Sequence, residues 1–295
     1  MRIVSLLPSG TEMLCGLGLI DSLVGVTDEC DHPSEVKRLP KVTEAILQAS
    51  TSSEIDQSVR QSLESGGALY RLNAELLHKL QPNLIVTQAL CEVCAISDRE
   101  VQSIARELDS KPALINLEPS SLGDVFECIR RLGVATDRTR EASGFVQELQ
   151  SRVKRVEIRS RLADSCPSVV LLEWVDPPFS SGHWNPELIR IAGGREVLGV
   201  EGQPSQTLDW AAVRESDPEV IVIACCGFDV YRARQDLPIL ESYEGWDQLR
   251  CFRNHRVHWV EGPAYFNRPG PRLVDSLEIL ANLIHPNLHP VPELL

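Results

Sequence analysis

The sequence predicts an α/β protein of two similar halves joined by one long helix, and three observations carry that prediction. First, Arg2–Gly10 (RIVSLLPSG) and Ser168–Gly182 (SVVLLEWVDPPFSSG) are each an apolar, β-branched run that ends in Pro, Ser and Gly. Second, Ala74–Thr87 (AELLHKLQPNLIVT) and Ala211–Ala224 (AAVRESDPEVIVIA) both read as a short helix, a proline and a buried strand, with Pro82 matching Pro218. Third, the stretch from about Asp137 to Ala163 has no Pro and only Gly144, with Phe145, Leu149, Val153 and Val156 on one apolar stripe. Such a helix is a rod of roughly 40 Å, too long for a single sheet crossover. The expected division is a lobe over 1–135, a linking helix over 136–165 and a second lobe over 166–295, with a ligand cleft between the lobes.

In the first lobe, strand Ile3–Leu7, helix Thr11–Leu17 and strand Leu23–Val26 alternate, followed later by strand Leu84–Thr87, a helix over Asp98–Leu108 and strand Ala113–Asn116. Strands separated by helices predict parallel pairing. Gly10, Gly16 and Gly18 do not form the spacing of a dinucleotide loop. Thr51–Glu54 is a capping box, so an extra helix is expected at about 51–64. The second lobe offers strand Val169–Leu172, helix Pro186–Ala192, helix Trp210–Glu215, strands Val220–Ala224 and Val257–Val260, and a closing helix Arg272–Ile284.

A net charge of −13 supplies no basic footprint for nucleic acid, and it equally disfavours an anionic membrane surface, so neither nucleic acid nor membrane insertion is expected. No run of apolar residues is long enough to span a bilayer. Nine cysteines at irregular spacings fit free thiols in a reducing compartment. Met1-Arg2 runs directly into the first strand without a basic-apolar leader. A cytoplasmic monomer is therefore expected, or a periplasmic one if an export signal precedes this sequence.

Ligands of parallel α/β sheets sit beyond the carboxyl ends of the strands. Cys30, Cys91, Cys94, Trp174, Phe179, Trp184, Cys225, Cys226, Phe228, Tyr265 and Phe266 all fall there. Aromatic residues are only 5% of the chain, so their concentration at strand ends predicts an apolar ligand site with a few polar anchors. No nucleophile elbow or P-loop occurs, and no catalytic constellation is expected.

Val175–Gly182 (VDPPFSSG), Tyr265–Arg272 (YFNRPGPR) and the opening Arg2–Glu12 (RIVSLLPSGTE) resemble motifs of the cobalamin-binding periplasmic proteins of ABC importers, in the iron-siderophore/cobalamin class. The resemblance covers nearly the whole chain. It implies two Rossmann-like lobes on a rigid helix, holding a corrinoid without chemistry. Joined to the strand-end reading, the resemblance leaves Ser9, Cys30, Asp31, Gln88, Cys91, Glu92, Cys94, Glu173, Trp174, Asp176, Pro178, Phe179, His183, Trp184, Cys226, Phe228, Tyr265, Phe266 and Arg268 as the expected ligand-binding set. It also implies permease docking through one acidic residue per lobe. Glu75 matches the first, but Ala211 stands at the second, with Asp209 nearby. Gln88 stands where a tryptophan is expected.

Several residues admit two readings. Cys91 and Cys94 are cleft-lining thiols, a metal or cobalt contact, or a redox pair. His183 is an axial ligand to cobalt or a loop cap, and His32 is a weaker candidate. Trp174 and Trp184 line a pocket or belong to the core. Arg268 reads a polar ligand edge or pairs with Glu261. The two rival functions are an exported importer subunit for cobamide, haem or siderophore, and a thiol-dependent corrinoid or metal redox enzyme.

Overall fold

The structure is a computed structural model that describes residues 1–46, 51–64, 69–88 and 98–292. Two compact units divide it: Met1–Pro119 with Gly123–Gln147, and Ser120–Leu122 with Glu148–Leu295.

Unit 1 opens with β1 (Ile3–Ser5) and α1 (Pro8–Gly16), followed by β2 (Leu23–Val26). The helix starts three residues before the expected Thr11, because Pro8 at its first position has a helical φ already fixed and no N–H to leave unpaired. A short antiparallel pair, β3 (Thr43–Ala45) and β4 (Tyr70–Leu72), flanks α2 (Ser52–Glu64). The capping box forms reciprocally: Glu54 N donates to Thr51 Oγ1 at 3.3 Å, and Thr51 N to Glu54 Oε2 at 3.1 Å. Then come α3 (Ala74–Leu80), β5 (Leu84–Thr87), α4 (Asp98–Glu107), β6 (Ala113–Asn116) and α5 (Leu122–Ala135). The four parallel strands lie in the order β2-β1-β5-β6. Val4, Ile85, Leu77, Val101 and Leu108 form their buried core.

The long helix is α6 (Thr139–Ser160), 22 residues or about 33 Å. Asp137, with φ +56°, turns the chain sharply out of α5, which shortens the rod at its start. The division between units falls inside α6, so this helix is shared by both.

Unit 2 contains β7 (Ser168–Val175), β8 (Pro178–Ser180), α7 (Asn185–Ile191), β9 (Arg195–Glu196), α8 (Trp210–Ser216) and β10 (Val220–Ile223). Three short helices follow, α9 (Val230–Ala233), α10 (Leu237–Ser242) and α11 (Arg250–Arg253), then β11 (Val257–Trp259) and α12 (Leu273–Ile284). Here β9, β7, β10 and β11 are parallel in that order, the topology of unit 1 repeated. The repeat extends to helix ends. Asn73 and Asp209 cap α3 and α8, and Gln81 and Asp217 close them at φ +42° and +37°, just before Pro82 and Pro218.

One expectation is corrected in unit 2. β7 runs three residues past Leu172, so Glu173 and Trp174 are strand residues, and Pro178 and Phe179 form the antiparallel strand β8 rather than a loop. Phe179 bridges Thr207, while Leu208 N donates to Pro178 O at 2.7 Å. Pro177-Pro178 hides this strand, because proline cannot donate to a ladder and is read as a breaker.

Candidate functional site

The carboxyl end of β7 and the segments beyond it carry a connected polar framework. Glu173 accepts from Gly182 N at 3.1 Å and Asn185 Nδ2 at 2.9 Å, and also from the Ser205 hydroxyl. It thereby ties both ends of the segment that carries His183 and Trp184. Gly182 permits this closeness, since a Cβ there would lie 2.4 Å from Ser205 N. Glu196 accepts from three successive backbone N–H groups, Val197, Leu198 and Gly199, from Leu171 N and from Ser181 Oγ. Burial pushes both carboxyls above their ordinary range, against these hydrogen bonds.

The aromatic residues separate into two groups. Trp184 donates Nε1–H to Phe266 O at 2.8 Å, and the Phe266 ring is fully buried. Phe266 and Trp184 are packing residues here, because Phe266 sits at the end of a π-turn (Gly262–Phe266) that folds back into the unit. Trp174 is 8% exposed and donates to Asp176 O at 2.9 Å. Its ring lies 4.8 Å from Phe228, and the Arg232 guanidinium lies 4.1 Å from the Phe228 ring centre. Phe179, Phe228 and Tyr265 keep part of their surface open. Tyr231, on α9, is 80% exposed.

His183 holds a left-handed backbone, φ +50°, fixed by His183 N to Gln203 O at 2.6 Å and Gly202 N to His183 O at 2.8 Å. Its ring stacks on Trp184 at 5.4 Å, and its buried Nδ1 has no hydrogen-bond partner. Burial lowers its pKa, so the imidazole is neutral at pH 7. Arg268 and Asp176 are half-buried, and Glu261 accepts from Val230 N at 3.0 Å.

In unit 1 the predicted residues are less accessible than expected. Ser9 lies in the first turn of α1 and is buried. The Cys30 thiol is buried against the Thr11 and Thr27 hydroxyls, each at 3.1 Å. Asp31 is exposed and Gln88 half-buried. Cys91, Glu92 and Cys94 lie outside the described residues. Of the other strand-end thiols, Cys225 is buried, with its pKa pushed up to about 12, while Cys226 is exposed. Following a strand end therefore does not leave a thiol open to a ligand at Cys30 and Cys225, since both are buried. Glu75 is exposed on α3 and paired with Lys79 at 2.6 Å, which lowers its pKa. A cavity of about 400 Å³ in unit 1, lined by Asn116, Glu118, Asp124, Glu127, Cys128 and Arg131, contains none of the predicted residues.

Sequence reasoning missed Asn185, Ser205 and Arg232. Asn185 before Pro186 has the form of a helix start, and Asp229 three residues before Arg232 has N-cap spacing. Ser205 has no local signal, since only the fold brings it to Glu173.

Paired parallel α/β units with aromatic and polar side chains at the strand ends define a substrate-binding protein. The family described as periplasmic binding protein matches residues 3–260, and this chain belongs to it. It is 25% identical over 292 residues to YvrC, an ABC transporter substrate-binding lipoprotein of Bacillus subtilis, covering 97% of this chain and 80% of that protein. It is 21% identical over 281 residues to the vitamin B12-binding protein of Vibrio cholerae, covering 94% and 86%. The fold is similar to a periplasmic haem-binding protein of Pseudomonas aeruginosa, with TM-score 0.75, 20% identity and 98% and 94% coverage. The V. cholerae vitamin B12-binding protein BtuF gives TM-score 0.69, 19% identity and 96% coverage of each chain. The expected cytoplasmic location finds no support here, since these relatives are named as periplasmic proteins or lipoproteins. No helix among the described residues is long and apolar enough to cross a membrane.

Proposed function

We propose that this protein binds a corrinoid without transforming it and serves an ABC importer as its substrate-binding component. The observation that carries this reading is the Trp174–Phe228–Arg232 cluster at the ends of β7 and β10, with Phe179 paired to Trp174 across the hairpin and partly open. A large, mostly apolar ligand with amide edges suits such a surface. Flat rings cover its faces, while Asp176, His183 and Arg268 meet its polar rim. The vitamin B12-binding relatives, matched over most of the chain, support the same choice. Glu75 is the acidic residue offered to a permease. Asp209 is already engaged in capping α8, through Ala211 N at 3.0 Å. Function beside a permease favours an extracytoplasmic location.

Haem is the second reading, because haem-binding proteins stand among the solved structures of similar fold. Calorimetry of the purified chain against cyanocobalamin, adenosylcobalamin, haem and a ferric siderophore separates the readings. One-to-one binding of a corrinoid is expected. Binding of haem or siderophore with failure of every corrinoid overturns it.

A further inference from the structure

The exposed face at the end of α6 differs chemically from the rest of this acidic chain. From Ser151 to Leu162, Arg152, Lys154, Arg155, Arg159 and Arg161 accompany a single acidic residue, Glu157, in a protein of net charge −13. Arg152 turns inward to Asp275 and Glu278, at 2.5 and 2.6 Å. The other four basic side chains are exposed. Glu157 is shared by Lys154 and Arg161, whereas Arg155 and Arg159 have no ion-pair partner among the described residues. Arg155, Ile158, Arg159 and Leu162 recur at i, i+3, i+4 and i+7, which places them on one stripe. Along it Ile158 is 53% exposed and Leu162, in the turn that ends the helix, 70%.

Neighbouring elements of unit 2 add to this field. Arg190, at the end of α7, is close enough to Glu157 for its charge to be felt, although Arg190 itself pairs with Glu201. Arg159 and His285 both face His289, which their charges disfavour as a cation. An ordinary solvated helix face intersperses both signs of charge and leaves few large apolar side chains in water. This one segregates cations and adds two aliphatic tips.

We propose that this stripe is a docking surface for an anionic phospholipid membrane. The guanidinium groups of Arg155 and Arg159 bind headgroup phosphates, and Ile158 and Leu162 enter the layer beneath. A guanidinium–aliphatic ridge matches both layers of a bilayer interface, whereas an acidic protein surface would satisfy only its charges. The chain's overall negative charge does not prevent this. At physiological salt, exposed carboxylates more than about 8 Å from the contact are largely screened, so the local stripe decides.

The test is co-sedimentation of the full chain with vesicles of phosphatidylcholine alone or mixed with phosphatidylglycerol, at low and physiological salt. Binding confined to the anionic vesicles and weakened by salt is expected. Arg155→Glu with Arg159→Glu should lower it by about tenfold or more. Ile158→Ser with Leu162→Ser should lower it without changing its salt dependence. The melting temperature and corrinoid titration of both variants check that the fold and the ligand site persist. No binding to anionic vesicles at either salt concentration overturns the proposal, as does binding undiminished by the double charge reversal. Capture on immobilised polyglutamate without vesicle binding also overturns it, and assigns the stripe to an acidic protein.

Discussion

Trp174 shows how one side chain serves packing and recognition together. Its indole is nearly buried, donates to Asp176 O and packs against the Phe228 ring at 4.8 Å. Trp174→Ala should therefore destabilise the protein by about 3–5 kcal/mol, the usual cost of emptying an aromatic core site, and weaken ligand binding as well. Phe179 has more open surface. Phe179→Ala should weaken corrinoid binding by about 1–3 kcal/mol with a much smaller change in melting temperature. Denaturant melts and calorimetry on the two variants measure both effects, and equal melting temperatures would contradict the burial of Trp174. Thiol reactivity follows burial in the same way. Cys166 and Cys226 should alkylate quickly in the native protein, while Cys30, Cys225 and Cys251 remain protected. Site-resolved mass spectrometry reads each cysteine.

At the scale of elements, most helices and parallel strands are legible because hydrophobic periodicity and stop signals agree. β5 and β6 fall on the expected residues, and the capping box marks the start of α2. β8 was illegible, since two prolines mask its tight hairpin with β7 and its other neighbours, residues 206–208, are distant in sequence. Within unit 1, α1 rests closely on α6 at Gly16, where a Cβ would lie 2.3 Å from the Phe145 ring. Gly16→Ala should cost about 1–3 kcal/mol by overpacking, and Phe145→Leu should recover part of that loss in a double-mutant cycle. In unit 2, Arg152 ties α6 to α12 through Asp275 and Glu278. Because all three are only partly buried, Arg152→Ala should cost about 1–2 kcal/mol, less than a fully enclosed triad. Glu278→Gln should cost less than Arg152→Ala, since it leaves no carboxylate without its cation.

For the molecule as a whole, acid stability reports on buried imidazoles. Burial is the main cause that lowers the pKa of His183, His258 and His289, and nearby Arg256 adds at His258, Arg159 and His285 at His289. A histidine whose folded pKa lies below its unfolded value stabilises the fold above the unfolded pKa. That contribution is lost as pH falls from about 6.5 through the folded pKa, because the unfolded chain binds the proton first. Glu173 and Glu196 act with the opposite sign, since carboxyls raised by burial favour the folded state as they take up protons. His289→Gln isolates the first effect. His289 is buried and bonded to Ser160 Oγ at 3.1 Å, so the variant should lose stability at pH 7.5 yet lose less than the parent on going to pH 5.5. Equal pH dependence of the two proteins would contradict a neutral, buried His289.

The sequence by itself determined the repeated strand-turn-helix pattern, the α3–Pro82–β5 and α8–Pro218–β10 correspondences and the long helix. These depend on local propensity, capping and periodicity, which each segment carries without its neighbours. It also located the strand ends from which the site residues arise. Only the tertiary structure decided which of those side chains remain accessible. Cys30 and Cys225 are buried although they follow strand ends, and Phe266 folds back under Trp184, whereas Phe179 and Phe228 stay partly open. Tertiary structure alone likewise brought Ser205 to Glu173, 32 residues away, and Phe228 to Trp174. Burial and long-range hydrogen bonds are set by which elements pack together, and nothing in the local pattern of a single segment encodes them.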